Sequence, residues 1–338
     1  MADAAPSDDM AMADLPEAAS PPVTLGEAIA MIDRQFGVEK LLGDAGKQVV
    51  EPYYRQSVLV YEQFYEKHLS VPGCMHFGLD HDGRFTRRGF YEQARAIRKL
   101  IRKMGTVRQV LEVGCGKGVN TIRVAGACPE VSFTGLDLLS DHVEKATARS
   151  ADLPNARFVQ GSFEPIPASL SGADVIFGVE TLCYAKDLDA VCQSIADSLN
   201  PGGRLVIFDC FREDDKGPVS DQMRLATRLL EVGWGVPAGY RSAAEWCAAL
   251  ERAGLRMHWV KDETANALPS VTKLQGFAMR FFGDWKLRMQ SRILPELGRR
   301  NAVTAILMPL LFQGQPGNGP DATAPGVSYM RLVARKPG

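Results

Sequence analysis

Two rhythms of apolar and polar positions run along this chain. Short runs of β-branched and aromatic residues fall near 108–114, 131–137, 156–160, 173–179 and 203–209, with the length and composition of buried strands. Helical spacing follows each of the first two runs, and another helix is predicted over about 187–199, before Pro201-Gly202-Gly203. That turn is expected to launch the next strand. Strands alternating with helices predict a parallel sheet covered on both faces, with right-handed crossovers. Beyond it, Ser242 to Ala253 reads as a helix opened by a capping box, with Glu245 three residues after Ser242. Leu255–Val260 and the alternating Val327–Ala334 complete seven strands. The fold class is therefore α/β, a Rossmann-like doubly wound seven-stranded sheet.

Both ends of this core carry additions. Residues 1–23 are rich in Ala, Pro and acids and poor in large apolar side chains, which predicts a disordered tail. Helical spacing then covers Leu25 to about Leu42, Pro52 to Lys67 and Gly89 to Lys103, with a Met75-His76-Phe77-Gly78-Leu79 loop between the last two. Residues 24–104 are read as a helical extension that acts as a lid, and 105–338 as the main domain. Within the latter, about 263–326 form an inserted helical cap rich in Phe277, Phe281, Phe282, Trp285, Leu310, Leu311 and Phe312. An apolar ligand pocket or an oligomer interface would leave this pattern.

Composition narrows the function classes. A chain of 338 residues, 46% hydrophobic and 23% charged, is ordinary for a globular protein. A net charge of −1 argues against nucleic acid as a partner, because phosphate binding needs clustered excess cation. The seven cysteines are odd in number and contain no CxxC pair, so free thiols in a reducing cytoplasm are expected, with no zinc site. The first 23 residues hold no Lys or Arg, unlike a secretory or transit peptide. The apolar run Ala302–Phe312 contains Pro309 and is too short to span a bilayer. The expectation is a cytoplasmic protein.

The chemistry concentrates at Val110-Leu111-Glu112-Val113-Gly114-Cys115-Gly116-Lys117-Gly118. A buried strand ends in an acid, and glycines at alternate positions turn tightly into a helix whose free N–H groups face a ligand. A dinucleotide fingerprint requires a glycine three residues after its second; here Val119 stands at that position. The next strand ends at Asp137, followed by Leu138, about 20 residues on, where an acid can accept both ribose hydroxyls.

The Glu112-x-Gly114-x-Gly116-x-Gly118 run resembles the first motif of the class I S-adenosylmethionine (SAM) methyltransferases. From about Pro52 to Pro337 the chain is similar to the small-molecule members, and more narrowly to the sterol C-methyltransferase group. The Tyr53–Tyr61 region with His76-Phe77-Gly78, Phe158-Val159-Gln160-Gly161-Ser162-Phe163, Val179-Glu180-Thr181-Leu182-Cys183-Tyr184-Ala185 and Tyr240–Asp262 carry this resemblance. The cap and last strand, with Gln313-Gly314 and Gly326-Val327-Ser328-Tyr329, also look like phthiotriol and tocopherol O-methyltransferases. The resemblance implies SAM as co-substrate with no metal. Gly114, Gly116 and Gly118 would hold its methionine portion, Asp137 its ribose, and Gly161, Ser162 and Phe163 its adenine, with Glu112 and Leu138 also in the cofactor site. Three departures stand beside it. Ser162 replaces an acid, Tyr184 replaces the histidine of the sterol enzymes, and their Tyr-Glu-Trp-Gly-Trp-Gly run is missing. A sterol substrate is therefore not carried across.

Methyl transfer from a sulfonium needs positioning and exclusion of water more than acid catalysis. Methylating an alkene creates a cation that needs an anion or aromatic faces, then a base; methylating a hydroxyl needs a base, often His. Glu180 follows the apolar 174–179 strand, and no Lys or Arg lies within five residues of it. It is the candidate for charge stabilisation or proton removal, unless backbone or a distant arginine claims it. Tyr184 could line the same cavity or the core. Of five histidines, His76 is the one candidate base, unless it has a surface or capping role, and His142 is expected at the surface. Tyr53, Tyr54, Tyr61 and Tyr65 are read as core or as a lid over the reacting groups. Arg280, Lys286, Arg288, Arg292, Arg299 and Arg300 are interleaved in the cap, on a solvated face or around an anionic head group.

The expected activity is thus methylation of a lipophilic small molecule, by preference at an alkene carbon of an isoprenoid or sterol-like acceptor. O-methylation of a phenol, quinol or lipid alcohol is the second expectation, and a non-catalytic SAM-fold binding protein the third. Methylation of protein or nucleic acid is disfavoured by the charge and by the lack of an Asn/Asp-Pro-Pro-Tyr motif after the fourth strand.

Overall fold

Among the described residues four α-helices precede the sheet, and the first three are α1 (Leu25–Phe36), α2 (Val38–Leu42) and α3 (Val50–Tyr61). The computed structural model describes residues 23–47, 50–213, 217–236, 238–315 and 323–338, so the predicted disordered tail lies, but for Val23, outside the described residues. The helix predicted over 25–42 breaks at Gly37, whose φ of 77° ends α1 and starts α2. That predicted over 52–67 changes to π-helix at Glu62–His68. A 3-10 turn, Arg87–Tyr91, leads into α4 (Glu92–Met104), where one continuous helix was expected.

The α/β core then follows in chain order: β1 (Gln109–Val113), α5 (Val119–Ala127), β2 (Ser132–Asp137), α6 (Ser140–Arg149), β3 (Ala156–Gln160), β4 (Ala173–Val179), α7 (Leu188–Ser198) and β5 (Leu199–Arg212). Next come α8 (Asp221–Trp234), α9 (Ala243–Arg252) and β6 (Arg256–Asp262). The cap is α10 (Thr264–Gly283), α11 (Trp285–Gln290), α12 (Glu296–Arg299) and α13 (Asn301–Gln313), and β7 (Val327–Arg335) ends the fold. The capping box at Ser242 and Glu245 is present. Helix α8 was not anticipated, although Ser220 caps its start and the left-handed Gly235 its end.

Seven strands form one sheet in the order β3-β2-β1-β4-β5-β7-β6. The parallel prediction holds for β1 to β5, but β7 lies antiparallel between β5 and β6. The register supplies the reason. The cap leaves the sheet after Asp262, at the end of β6, and returns at Val327, which pairs with Arg212 at the carboxyl end of β5. Leaving and returning at one edge requires an antiparallel strand and no crossover helix. Pro201-Gly202-Gly203 lies inside β5 as a bulge, where the partners step from Leu199 to Arg204 while β4 advances only from Ala173 to Val175.

Both faces of the sheet bury apolar clusters. Helix α13, apolar on all sides, packs against α10 and α8, and α1 and α3 pack on the cap helices. The N-terminal helices and the cap thus share one layer above the carboxyl ends of the strands. The order reverses between β1 and β4, which opens a crevice at their carboxyl ends. Among the described residues no helix is long and apolar enough to cross a membrane.

Candidate active site

The turn after β1 sets the floor of this crevice. Gly114 has φ of +62°, and a Cβ there would lie 1.8 Å from Thr181 Oγ1 of the loop after β4. Only glycine allows this approach of the two loops. The Glu112 carboxylate is fully inside the protein, where it accepts the Thr121 backbone N–H at 3.0 Å and bonds from the Thr121 hydroxyl and Asn120 amide. It ties β1 to the first turn of α5, and burial pushes its pKa up to about 8.

Asp137 closes the turn from the neighbouring strand. Its Oδ2 accepts the Gly116 N–H at 2.8 Å, and its Oδ1 accepts the Leu139 N–H at 3.0 Å. His142 Nδ1 lies 3.1 Å from the same Oδ1. His142 is therefore buried, not at the surface as expected, and packs edge-on against Tyr54 at 5.7 Å. The first turn of α6 folds back over the end of β2, a tertiary placement that helical periodicity does not reveal. Lys117, also buried, reaches Glu66 of the π-helical segment at 2.9 Å and locks the N-terminal layer onto the glycine turn.

Glu180 stands at the end of β4 with φ of +50°, a strained conformation for a residue with a side chain. Its backbone N–H donates to Phe208 O at 2.8 Å. Its Oε1 accepts the Phe77 backbone N–H at 2.7 Å and the Tyr329 hydroxyl at 3.0 Å, whereas Oε2 is buried with no hydrogen-bond partner. Burial raises its pKa to about 8, opposed by the Phe77 bond and aided by the nearby Asp209 charge. Backbone thus claims one oxygen of the predicted catalytic acid and leaves the other. Gln93 holds the clamp by donating to Phe77 O at 2.8 Å.

Sequence reasoning overlooked Asp209, Tyr329 and Gln93. Asp209, with its pKa raised to about 6 by burial, accepts the backbone N–H groups of Thr181, Cys183 and Cys210, and so fixes the turn that follows Glu180. An acid near the carboxyl end of a buried strand was the available signal. Tyr329 and Gln93 carried none, because they meet Glu180 only through the sheet order and α4.

The aromatic residues lie around this acid. The Tyr54 and Tyr184 hydroxyls are 3.1 Å apart, and Tyr184 donates to Trp234 O at 3.4 Å. Burial holds both phenols well above their ordinary pKa. His76 is buried, with Nε2 2.8 Å from Phe90 O; a carbonyl only accepts, so Nε2 carries the proton. Burial lowers its pKa to about 4, which makes it a weak base.

Two cavities lie beside these groups. One of about 400 Å³ is lined by Glu112, Gly114, Gly116, Asp137, Leu138, Gly161, Ser162, Phe163, His76, Glu180 and Tyr184. Of the predicted site residues only Gly118 stays outside the lining; its Cβ position is filled by Ala146 and Phe158, both 2.8 Å away. Ser162 turns its hydroxyl to the Glu164 backbone N–H at 2.9 Å. Exposed backbone at Gly114 and Gly116, an acid at Asp137 and an unsatisfied oxygen at Glu180 suit a ligand with hydroxyls and a positive centre, as SAM has.

The second cavity, of about 160 Å³, is almost wholly apolar and lies between α3, the π-helical segment and the cap. Tyr53, Tyr61, Tyr65, Phe77, Trp234, Phe277 and Phe281 line it. Phe77 joins the two spaces, because its N–H holds Glu180 while its ring faces the apolar cavity. Phe282 packs behind the lining against Phe36, and Trp285, expected in the pocket, is 59% exposed on α11.

Residues 110–203 match the methyltransferase-domain family. The chain is 30% identical over 236 residues to the 27-O-demethylrifamycin SV methyltransferase of Amycolatopsis mediterranei, covering 68% of this chain and 77% of that protein. It is 28% identical over 158 residues to a sterol 24-C-methyltransferase of Debaryomyces hansenii, covering 46% and 41%. Geranyl diphosphate C-methyltransferase of Streptomyces coelicolor A3(2), solved with Mg2+, geranyl diphosphate and S-adenosyl-L-homocysteine, shares the fold. Its TM-score is 0.54 at 15% identity, over 84% of this chain and 98% of that one. Glycine turn, paired acids, sheet order and relatives agree: the chain is an enzyme that belongs to the class I SAM-dependent small-molecule methyltransferases.

Proposed function

We propose that this enzyme methylates a lipophilic small molecule seated in the apolar cavity, by preference at an alkene carbon of an isoprenoid or sterol-like acceptor. The observation that carries this reading is Glu180, a buried carboxylate with one unsatisfied oxygen that lines the polar cavity and is held by the backbone N–H of Phe77, a residue lining the apolar one. In this reading residues 24–104 act as the lid and about 263–326 as the cap of a SAM-binding domain over 105–338.

The backbone at Gly114 and Gly116 would hold the methionine end of SAM, and Asp137 its ribose hydroxyls. Gly161, Ser162 and Phe163 would border the adenine. Bound there, SAM supplies an electrophilic methyl group whose departure leaves a neutral thioether. Glu180 faces the positive charge that builds on the acceptor, and that charge favours its ionised form. The rings of Tyr61, Tyr65, Phe77 and Trp234 exclude water and present negative faces to the same charge. A carboxylate whose pKa is raised is also a stronger base than an ordinary one, so Glu180 can remove the proton that completes C-methylation.

A second reading, O-methylation of a phenol, quinol or lipid or polyketide hydroxyl, is favoured by the relative named for 27-O-demethylrifamycin SV. Glu180 would then take the hydroxyl proton, because His76 is too weak a base. The test is an assay with methyl-labelled SAM against isoprenoids, sterols, quinols and lipid alcohols, with products mapped by mass spectrometry and NMR. A new carbon–methyl bond is expected. A methyl ether would move the enzyme to the second reading and remove the cation argument.

A further inference from the structure

Two polar side chains that line the apolar cavity each have a buried atom without a hydrogen-bond partner among the described residues. Arg299, the last residue of α12, lines the cavity, and its Nε is buried without a hydrogen bond. Its neighbour Arg300 also has a buried Nε without a hydrogen bond, but it differs in being ion-paired, its Nη2 meeting Asp44 at 2.5 Å and Glu296 at 2.8 Å. Thr304, on α13, lines the same cavity at 8% exposure, and its Oγ1 is also buried and unpartnered. Between them Asn301 is fully used: it accepts from the Tyr53 hydroxyl at 2.7 Å and donates to Ser57 Oγ at 2.9 Å and Gly298 O at 2.8 Å. Asn301 is held in place, and Arg299 and Thr304 are left open beside it.

Arg299 is half-buried as a residue, but its Nε has lost water without gaining a hydrogen bond, at a cavity otherwise lined by apolar groups such as Leu274, Phe277 and Leu294. An anion on the ligand would supply the missing partner. The number of cations indicates its charge. Among the described lining residues Arg299 is the only charged one. A diphosphate carries several negative charges and would call for several cations or a metal ion, whereas one guanidinium matches one carboxylate in a bidentate pair.

We propose that the acceptor is a lipophilic carboxylic acid whose carboxylate is recognised by Arg299, with Thr304 donating a further hydrogen bond. This rests on the reading that the apolar cavity receives the acceptor. It makes Arg299 a specificity residue, outside the SAM cavity, that selects singly charged acids over neutral lipids and over prenyl diphosphates.

Isothermal titration of octanoate and octan-1-ol into the full chain tests the head group without requiring methyl transfer. The expected result is at least tenfold tighter binding of octanoate, a preference abolished in Arg299→Met and partly kept in Arg299→Lys. SAM affinity and melting temperature should be unchanged in both variants. Phe277→Trp, which fills the cavity, should weaken both ligands. Equal binding of acid and alcohol that Phe277→Trp still weakens would overturn the carboxylate proposal and leave the cavity reading standing. An acid preference that survives Arg299→Met would overturn it too. Binding indifferent to Phe277→Trp, or no binding of either ligand, would sink the cavity reading along with the proposal.

Discussion

The Phe77 backbone N–H donates to Glu180 Oε1 at 2.7 Å, which leaves Oε2 as a buried oxygen without a partner. With the Tyr329 hydroxyl on the same oxygen, this bond orients the acid, and it joins the loop of the N-terminal extension to the end of β4. Glu180→Gln keeps an acceptor for Phe77 and Tyr329 but removes the charge. Turnover should fall by roughly 100-fold or more, in line with the loss of one electrostatic partner of a transition state. SAM affinity by calorimetry should change only a few-fold. Unchanged single-turnover rates with labelled SAM would withdraw the assigned role.

Buried carboxylates make stability depend on pH. Glu112 and Glu180 have their pKa raised to about 8 and Asp209 to about 6, chiefly by burial. Each folded pKa exceeds the unfolded value, so the unfolded chain loses its protons first as pH rises. The stabilising effect is full below the unfolded carboxylate range and is lost as pH climbs through about 6 and about 8. Wild-type protein without SAM should therefore melt lower at pH 8.5 than at pH 5.5. Glu180→Gln should recover part of that loss, roughly 2–4 °C per kcal/mol for a chain of this size. A melting temperature that rises from pH 5.5 to pH 8.5 would contradict the assignment.

His142 touches Asp137 Oδ1 at 3.1 Å and the ring of Tyr54, so it acts by positioning. His142→Ala should weaken SAM binding about fivefold, the effect of one hydrogen bond of about 1 kcal/mol. Its kcat at saturating SAM should stay close to wild type. His142→Asn, which can still donate, should recover most of the affinity. Equal affinities in the three proteins would reduce His142 to a packing residue.

What the sequence by itself determined is local. The strand–glycine–helix turn at 110–127, the acid ending β2 and the capping box at Ser242 depend on neighbours a few residues apart, so their chemistry is written in consecutive positions. Periodicity likewise placed the five parallel strands, because a strand buried on both faces must be a short apolar run. What only the tertiary structure decided depends on pairs far apart in the chain. Antiparallel β7 follows from where the cap leaves and re-enters the sheet. Tyr329 reaches Glu180 across 149 positions, and burial of His142 comes from the fold-back of α6 onto Asp137 and Tyr54. Arg299 lines the cavity with no ion pair among the described residues, whereas Arg300 beside it meets Asp44 and Glu296, because the end of α12 turns the two side chains in different directions. Adjacent identical residues share a local pattern, and their burial and partners depend on the packing of distant elements.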